Sequence, residues 1–132
     1  QGLSGRGLLE TALIRARMSD LVVLALGAEN ERAKAFLGGL FSMLEAILAK
    51  PMAEICDDMA MPDELRDLFE ASSCEKCGAA KRSLRVATAW QKGEEEAAKT
   101  CAAATELTPE DLGRIYIDSV QWVREGLGGP AD

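Results

Sequence analysis

The spacing of apolar residues constrains the fold of this chain more than any other feature. Apolar residues recur every three or four positions along almost the whole sequence, and no run alternates with period two over the length of a strand. Such spacing places apolar side chains on one face of a helix. The 132 residues suffice for one domain with a modest core. We therefore predict a single all-α domain over residues 1–126, a bundle of long and short helices, and a flexible tail at 127–132.

Glycine, proline and capping residues predict where the helices begin and end. Gly27 is expected to end the first helix in the left-handed conformation, and Asn30 to cap a second helix that continues unbroken to residue 49. Thr108 precedes a proline and two carboxylates, a pattern typical of a helix start. A loop is expected at 71–78. The expected helices cover residues 8–26, 30–49, 52–57, 63–69, 80–92, 94–104 and 109–126.

The second predicted helix also has an expected packing face. Gly38 and Gly39 are expected to let a neighbouring helix approach closely, where a larger side chain would clash. Its buried seam is expected to consist of large apolar side chains, namely Phe36, Leu37, Leu40, Leu44 and Leu48. Elsewhere, aromatic residues at apolar positions of predicted helices are interpreted as core, namely Trp90, Tyr116 and Trp122.

The absence of histidine removes several kinds of chemistry. A serine triad, a Cys–His dyad and every metal site that contains histidine are excluded. The formal net charge of −7 argues against a nucleic-acid partner, because a phosphate backbone favours a basic surface. Lys81, Arg82 and Arg85 form a small basic cluster, which we interpret as a solvated helix face. No uncharged stretch approaches the about 20 residues of a membrane span, so no membrane partner is expected.

Cys74 and Cys77 form a CxxC pair in the predicted loop. Such a pair is half of a zinc site or a redox couple, but the other half would need Cys56 and Cys101, which are single and far apart in sequence. We interpret the pair as two incidental loop cysteines, with zinc binding or redox chemistry as the less favoured alternatives. Four cysteines do not suggest a disulfide scaffold, and no signal peptide is visible, so a reducing cytoplasm is expected.

Several segments together carry a resemblance to a known family. ALIRAR at residues 12–17 is followed by AFLGGLFSMLEAIL at 35–48, and then by KPMAEI, MPDEL, AWQKG and TPEDL. In order and spacing these segments resemble the C-terminal half of HDOD (HD-related output) domains, particularly those fused behind an EAL domain in bacterial signalling proteins. The similarity covers residues 12–125, and no single motif in it is highly specific. It implies an HD-domain-like helical fold.

The resemblance also implies that this chain has lost the metal ligands of catalytic HD domains. Catalytic HD hydrolases contain the sequence AFLAGLLHD, and its alignment with residues 35–43 puts Ser42 and Met43 at the His–Asp pair. The upstream histidine ligand of that family falls near Arg15. Divalent cations in such sites require imidazole and carboxylate ligands, which these three residues do not supply. The resemblance therefore implies no metal, no cofactor and no catalysis in this chain.

The function implied is that of a cytoplasmic, non-catalytic signalling or output module, the regulatory part of an EAL-containing protein concerned with cyclic di-GMP. Its partner would be a protein, either an attached or separate signalling domain or a second copy of the chain. HDOD domains carry further helices before the first helix here, so we expect a fragment of a larger protein with an interaction surface around Leu9, Leu13 and Leu21. Two alternatives stay open: a degenerate metal-dependent HD-type phosphohydrolase and a purely structural dimerisation domain.

Overall fold

The computed structural model describes residues 5–70, 77–103 and 105–127, which form helices and connecting turns without any strand. The prediction of an all-α fold is confirmed. Short 3-10 turns lie at Glu29–Glu31 and Asp67–Phe69. The helices are α1 (Gly5–Ala25), α2 (Arg32–Phe41), α3 (Leu44–Leu48), α4 (Met52–Asp58), α5 (Asp63–Arg66), α6 (Ala79–Gln91), α7 (Glu95–Ala102) and α8 (Pro109–Gly126).

Most predicted helix ends are confirmed. Gly27 has a φ of 82° after α1, a conformation that costs glycine little. At the start of α8, the Thr108 side chain accepts a hydrogen bond from the Asp111 N–H, and the Asp111 carboxylate accepts one from the Thr108 N–H. Residues 71–76 of the predicted loop and 128–132 of the predicted tail lie outside the described residues.

The predicted unbroken helix over 30–49 is wrong. Asn30 lies inside a 3-10 turn rather than at a helix cap, and the helix is interrupted between Phe41 and Leu44. At the interruption the Ser42 hydroxyl donates to the Gly39 carbonyl at 2.8 Å. A serine side chain that bonds to its own backbone competes with regular helix hydrogen bonding. Residues on the two sides of this break therefore do not share one continuous face.

Helix α1 is the centre of the bundle, since α2, α6 and α8 all pack against it. On one side, Met18 and Val22 of α1 meet apolar side chains of α6, α7 and α8, including Val86 and Leu112. On another side, Val23 belongs to a second cluster, which includes Ala35, Leu68, Ala80 and Leu84. The two clusters lie on different sides of α1, so α1 contributes to both parts of the core.

The predicted seam of the second helix is also wrong in part. Leu37 is 37% exposed and Leu48 is 49% exposed, whereas the buried residues of α2 are Ala35, Gly38 and Gly39. A Cβ atom built on Gly39 would lie 2.6 Å from the Ala16 Cα, which leaves no room for any side chain. The predicted close approach is thus confirmed. Because backbone fills the space against α1, the larger side chains of α2 cannot occupy that face and lie to its sides.

Candidate functional site

The structure brings together Arg15 and Ser42, two of the three residues at the expected metal-ligand positions. The Arg15 Nη1 donates to the Ser42 Oγ at 3.1 Å, and the Arg15 Nε donates to the Gln91 Oε1 at 2.7 Å. Gln91 also donates through its Nε2 to the Thr11 carbonyl at 3.1 Å. The network therefore joins α1, the end of α2 and the end of α6. Met43 is buried but belongs neither to this network nor to the pocket beside it.

The Arg15 side chain carries a buried positive charge. The residue is 8% exposed, and it forms no ion pair within the part of the chain that the structure describes. Its hydrogen-bond acceptors, a hydroxyl and an amide, are both neutral. Removal from water penalises the charged form, so burial lowers the pKa of the Arg15 guanidinium. Burying a charge in this way is unfavourable unless an opposite charge compensates it.

Arg15 opens into a pocket of about 440 Å³ between α1, α3, α4, α6 and α7, which we call the Arg15 pocket. Two further cations, Arg85 and Lys92, line it, as do the carboxylates of Glu45 and Glu94. The remaining lining residues are Ser42, Met52, Phe69, Leu84, Thr88, Ala89, Ala97 and Cys101.

The interpretation of the basic cluster as a solvated helix face is wrong for part of α6. Lys81 is buried, with its Nζ 4.0 Å from an Asp67 carboxylate oxygen, and Arg85 is a wall of the Arg15 pocket. Gln91 and Lys92, which also shape this region, belong to the AWQKG segment of the family resemblance, but the sequence alone assigned them no role in a site.

The described residues do not assemble a metal site: no three of their cysteine, aspartate and glutamate side chains come together. Of the CxxC pair, Cys77 is half-buried and Cys74 lies outside the described residues. Cys56 is a buried free thiol, whereas Cys101 is disulfide-bonded. The expectation of reduced cysteines is therefore wrong for Cys101. Sequence spacing does not reveal which sulfur atoms the fold brings into contact.

A second candidate site is a surface formed around the aromatic side chains of Phe36 and Trp122. The rings of Phe36 and Trp122 meet edge to face with their centroids 6.2 Å apart, and the Arg17 guanidinium lies 4.8 Å from the Trp122 ring centroid. Trp122 is 40% exposed, so its interpretation as core is wrong. Together with the exposed Leu37, these side chains form what we call the Trp122 surface, defined by Arg17, Phe36, Leu37 and Trp122.

The residues predicted to form an interaction surface lie along α1 beside this feature. Leu9 is exposed, and Leu13 and Leu21 are half-buried. Leu9, Leu13 and Arg17 follow one another at intervals of four residues, which places them on one helix face. The predicted residues Leu9 and Leu13 thus extend the Trp122 surface along α1. Whether a partner binds there stays a prediction.

No protein-family model, no curated protein and no solved structure matches this chain. The HDOD resemblance accordingly stays a prediction from the sequence. No single described helix is both long and apolar enough to cross a membrane; the segments Glu29–Leu48 and Met52–Asp58 meet the requirement only as a pair bent by 105°.

Proposed function

We propose that this chain is a non-catalytic signalling or output domain that acts by protein–protein contact, as the regulatory part of an EAL-containing protein concerned with cyclic di-GMP. The observation that carries the proposal is the hydrogen-bonded group of Arg15, Ser42 and Gln91. Arg15 and Ser42 are distant in sequence, yet they meet where the family resemblance expects the ligands of an HD site to meet. This meeting supports an HD-like origin of the site.

The chemistry of this group supports the non-catalytic part of the proposal. HD-type hydrolysis requires a cation that polarises the phosphoryl oxygen and activates water. A buried guanidinium at the ligand position repels a divalent cation instead of binding it, and the Ser42 hydroxyl is already engaged with Arg15 and with the Gly39 carbonyl. Metal-dependent hydrolysis of cyclic di-GMP by the purified chain, abolished by Arg15→Met, would contradict this part.

The Trp122 surface supports the protein-contact part. Tryptophan and arginine are enriched among the residues that dominate binding energy at interfaces. Here an exposed tryptophan lies against an arginine and a phenylalanine, and the exposed Leu37 follows that phenylalanine in α2. Such a composition is typical of an interface centre. The expected occupant is a neighbouring signalling domain with an apolar contact face. In the isolated chain, a second copy is the available substitute.

We expect the isolated chain to self-associate reversibly and Trp122→Ser to weaken that association about tenfold or more, as for a central interface tryptophan. Sedimentation velocity over a range of protein concentrations measures the effect. Ile117→Ser is the matched control: Ile117 lies on the same helix and is 58% exposed, but it is not part of the Trp122 surface. It should leave the association unchanged.

Two outcomes would count against the protein-contact proposal. One is a wild-type chain that stays monomeric at every concentration, and the other is an equal effect of both substitutions. A dimer that persists at the lowest measurable concentration would favour the alternative of a purely structural dimerisation domain.

A further inference from the structure

The buried charge of Arg15 has no compensating opposite charge among the described residues. Its Nε and Nη1 donate to neutral oxygens, and its Nη2 makes no hydrogen bond to the described residues. An arginine fork matches the geometry of a carboxylate or a phosphate, with which it forms charge-assisted hydrogen bonds. The two hydrogen bonds to Gln91 and Ser42 hold the guanidinium in place, so its orientation is set before any ligand arrives.

The pocket into which Arg15 opens has a suitable lining for an anion. Arg85 and Lys92 add positive charge, and Thr88 adds a hydroxyl group. Its two carboxylates belong to Glu45 and Glu94, both of which are exposed residues, whereas Arg15 is buried. Water screens exposed charges strongly and buried ones weakly. Of the charged groups that line the pocket, the buried guanidinium is therefore the one least screened by water.

The size and walls of the pocket indicate a ligand larger than an inorganic ion. Its volume of about 440 Å³ falls within the range of small-molecule sites. Met52, Phe69 and Leu84 supply apolar wall, and Leu84 is itself buried. A ligand with one oxyanion end and a compact apolar body would use both parts of the pocket.

We propose that the Arg15 pocket binds a small organic oxyanion, a phosphate monoester or a carboxylate, whose charged group pairs with the Arg15 guanidinium and whose body lies against Met52, Phe69 and Leu84. This inference goes beyond the proposed function, which requires a protein contact and no small ligand. It assigns a role to a buried cation that the protein-contact surface does not use.

The test is a titration of the full chain, followed by ¹H–¹⁵N NMR, with phenyl phosphate, benzoate and inorganic phosphate at constant ionic strength. We expect saturable shifts at amides around Arg15, Ser42 and Thr88, and tighter binding of an aryl oxyanion than of inorganic phosphate. Comparison of phenyl phosphate with benzoate shows which oxyanion the site prefers. Arg15→Met should weaken binding of the preferred probe about 10- to 100-fold, the loss typical of hydrogen bonds to a charged group.

Two more variants keep the test decisive if Arg15→Met does not fold. Lys92→Gln alters an exposed side chain and should weaken binding about 2- to 5-fold. Arg114→Gln, the matched control, removes an arginine on α8 that pairs with Asp111 and does not line the pocket, so binding should be unchanged. The proposal is overturned if no probe gives localised, saturable shifts. It is also overturned if Lys92→Gln, together with Arg15→Met where that variant folds, binds the probes as tightly as the wild type.

Discussion

Gly39→Ala is expected to lower the free energy of unfolding by about 3 kcal/mol, the upper part of the range for overpacking a tightly filled interior. The added Cβ would lie 2.6 Å from the Ala16 Cα and 2.8 Å from the Ala16 nitrogen. Both atoms are backbone, so no side chain can turn away to relieve the clash, and α1 and α2 must separate. Urea denaturation monitored by circular dichroism measures the change.

Gly113→Ala is the matched control for this prediction. Gly113 also lies within a helix, but a Cβ built there meets its nearest atom, Trp90 Cζ2, at 3.8 Å, an ordinary contact distance. Alanine is intrinsically the better helix former by about 0.8–1 kcal/mol, so this variant should be more stable than the wild type. A Gly39→Ala variant as stable as Gly113→Ala would show that the α1–α2 packing described above is wrong.

Asp20→Ala is expected to lower the free energy of unfolding by about 2 kcal/mol, less than the 3–5 kcal/mol typical when one partner of a fully buried ion pair is removed. Asp20 is buried and accepts hydrogen bonds from Arg17 at 3.1 Å and from the Arg32 Nε at 2.6 Å. Its carboxylate also raises the pKa of Arg32, chiefly through that hydrogen bond. Without Asp20, the partly buried Arg17 loses its counter-ion.

The control for Asp20 is Arg32→Ala, measured in the same denaturation experiment. The Arg32 side chain is 36% exposed and that of Asp20 only 10%. Loss of Arg32 should therefore destabilise the protein less than loss of the carboxylate, because Arg17 remains bound to Asp20 in the Arg32→Ala variant. Equal effects of the two substitutions would contradict the prediction that the Asp20 carboxylate contributes more to the free energy of unfolding than Arg32 does. Arg17 also contacts the ring of Trp122, so the ion pair between Asp20 and Arg17 involves a residue of the Trp122 surface.

Local features of the sequence determined the secondary structure and several of its boundaries. The periodicity of apolar residues predicted an all-α fold, Thr108 and Asp111 predicted a capped helix, and Gly27 predicted a helix end. All three depend on interactions within a few residues, such as the capping hydrogen bonds and the low cost of positive φ for glycine. Such interactions are visible in a sequence because their partners are neighbours along it.

Only the tertiary structure decided which side chains are buried and which come together. Leu37 and Trp122 occupy apolar positions of their helices but are exposed, because a helix face is buried only where another element covers it. Close packing against Ala16 fills the inner face of α2 with backbone and leaves that face to glycine. The hydrogen-bonded group of Arg15, Ser42 and Gln91 is a further example, since its members lie 27 and 76 residues apart. Their contact depends on how α1, α2 and α6 pack together, which no local pattern of the sequence contains.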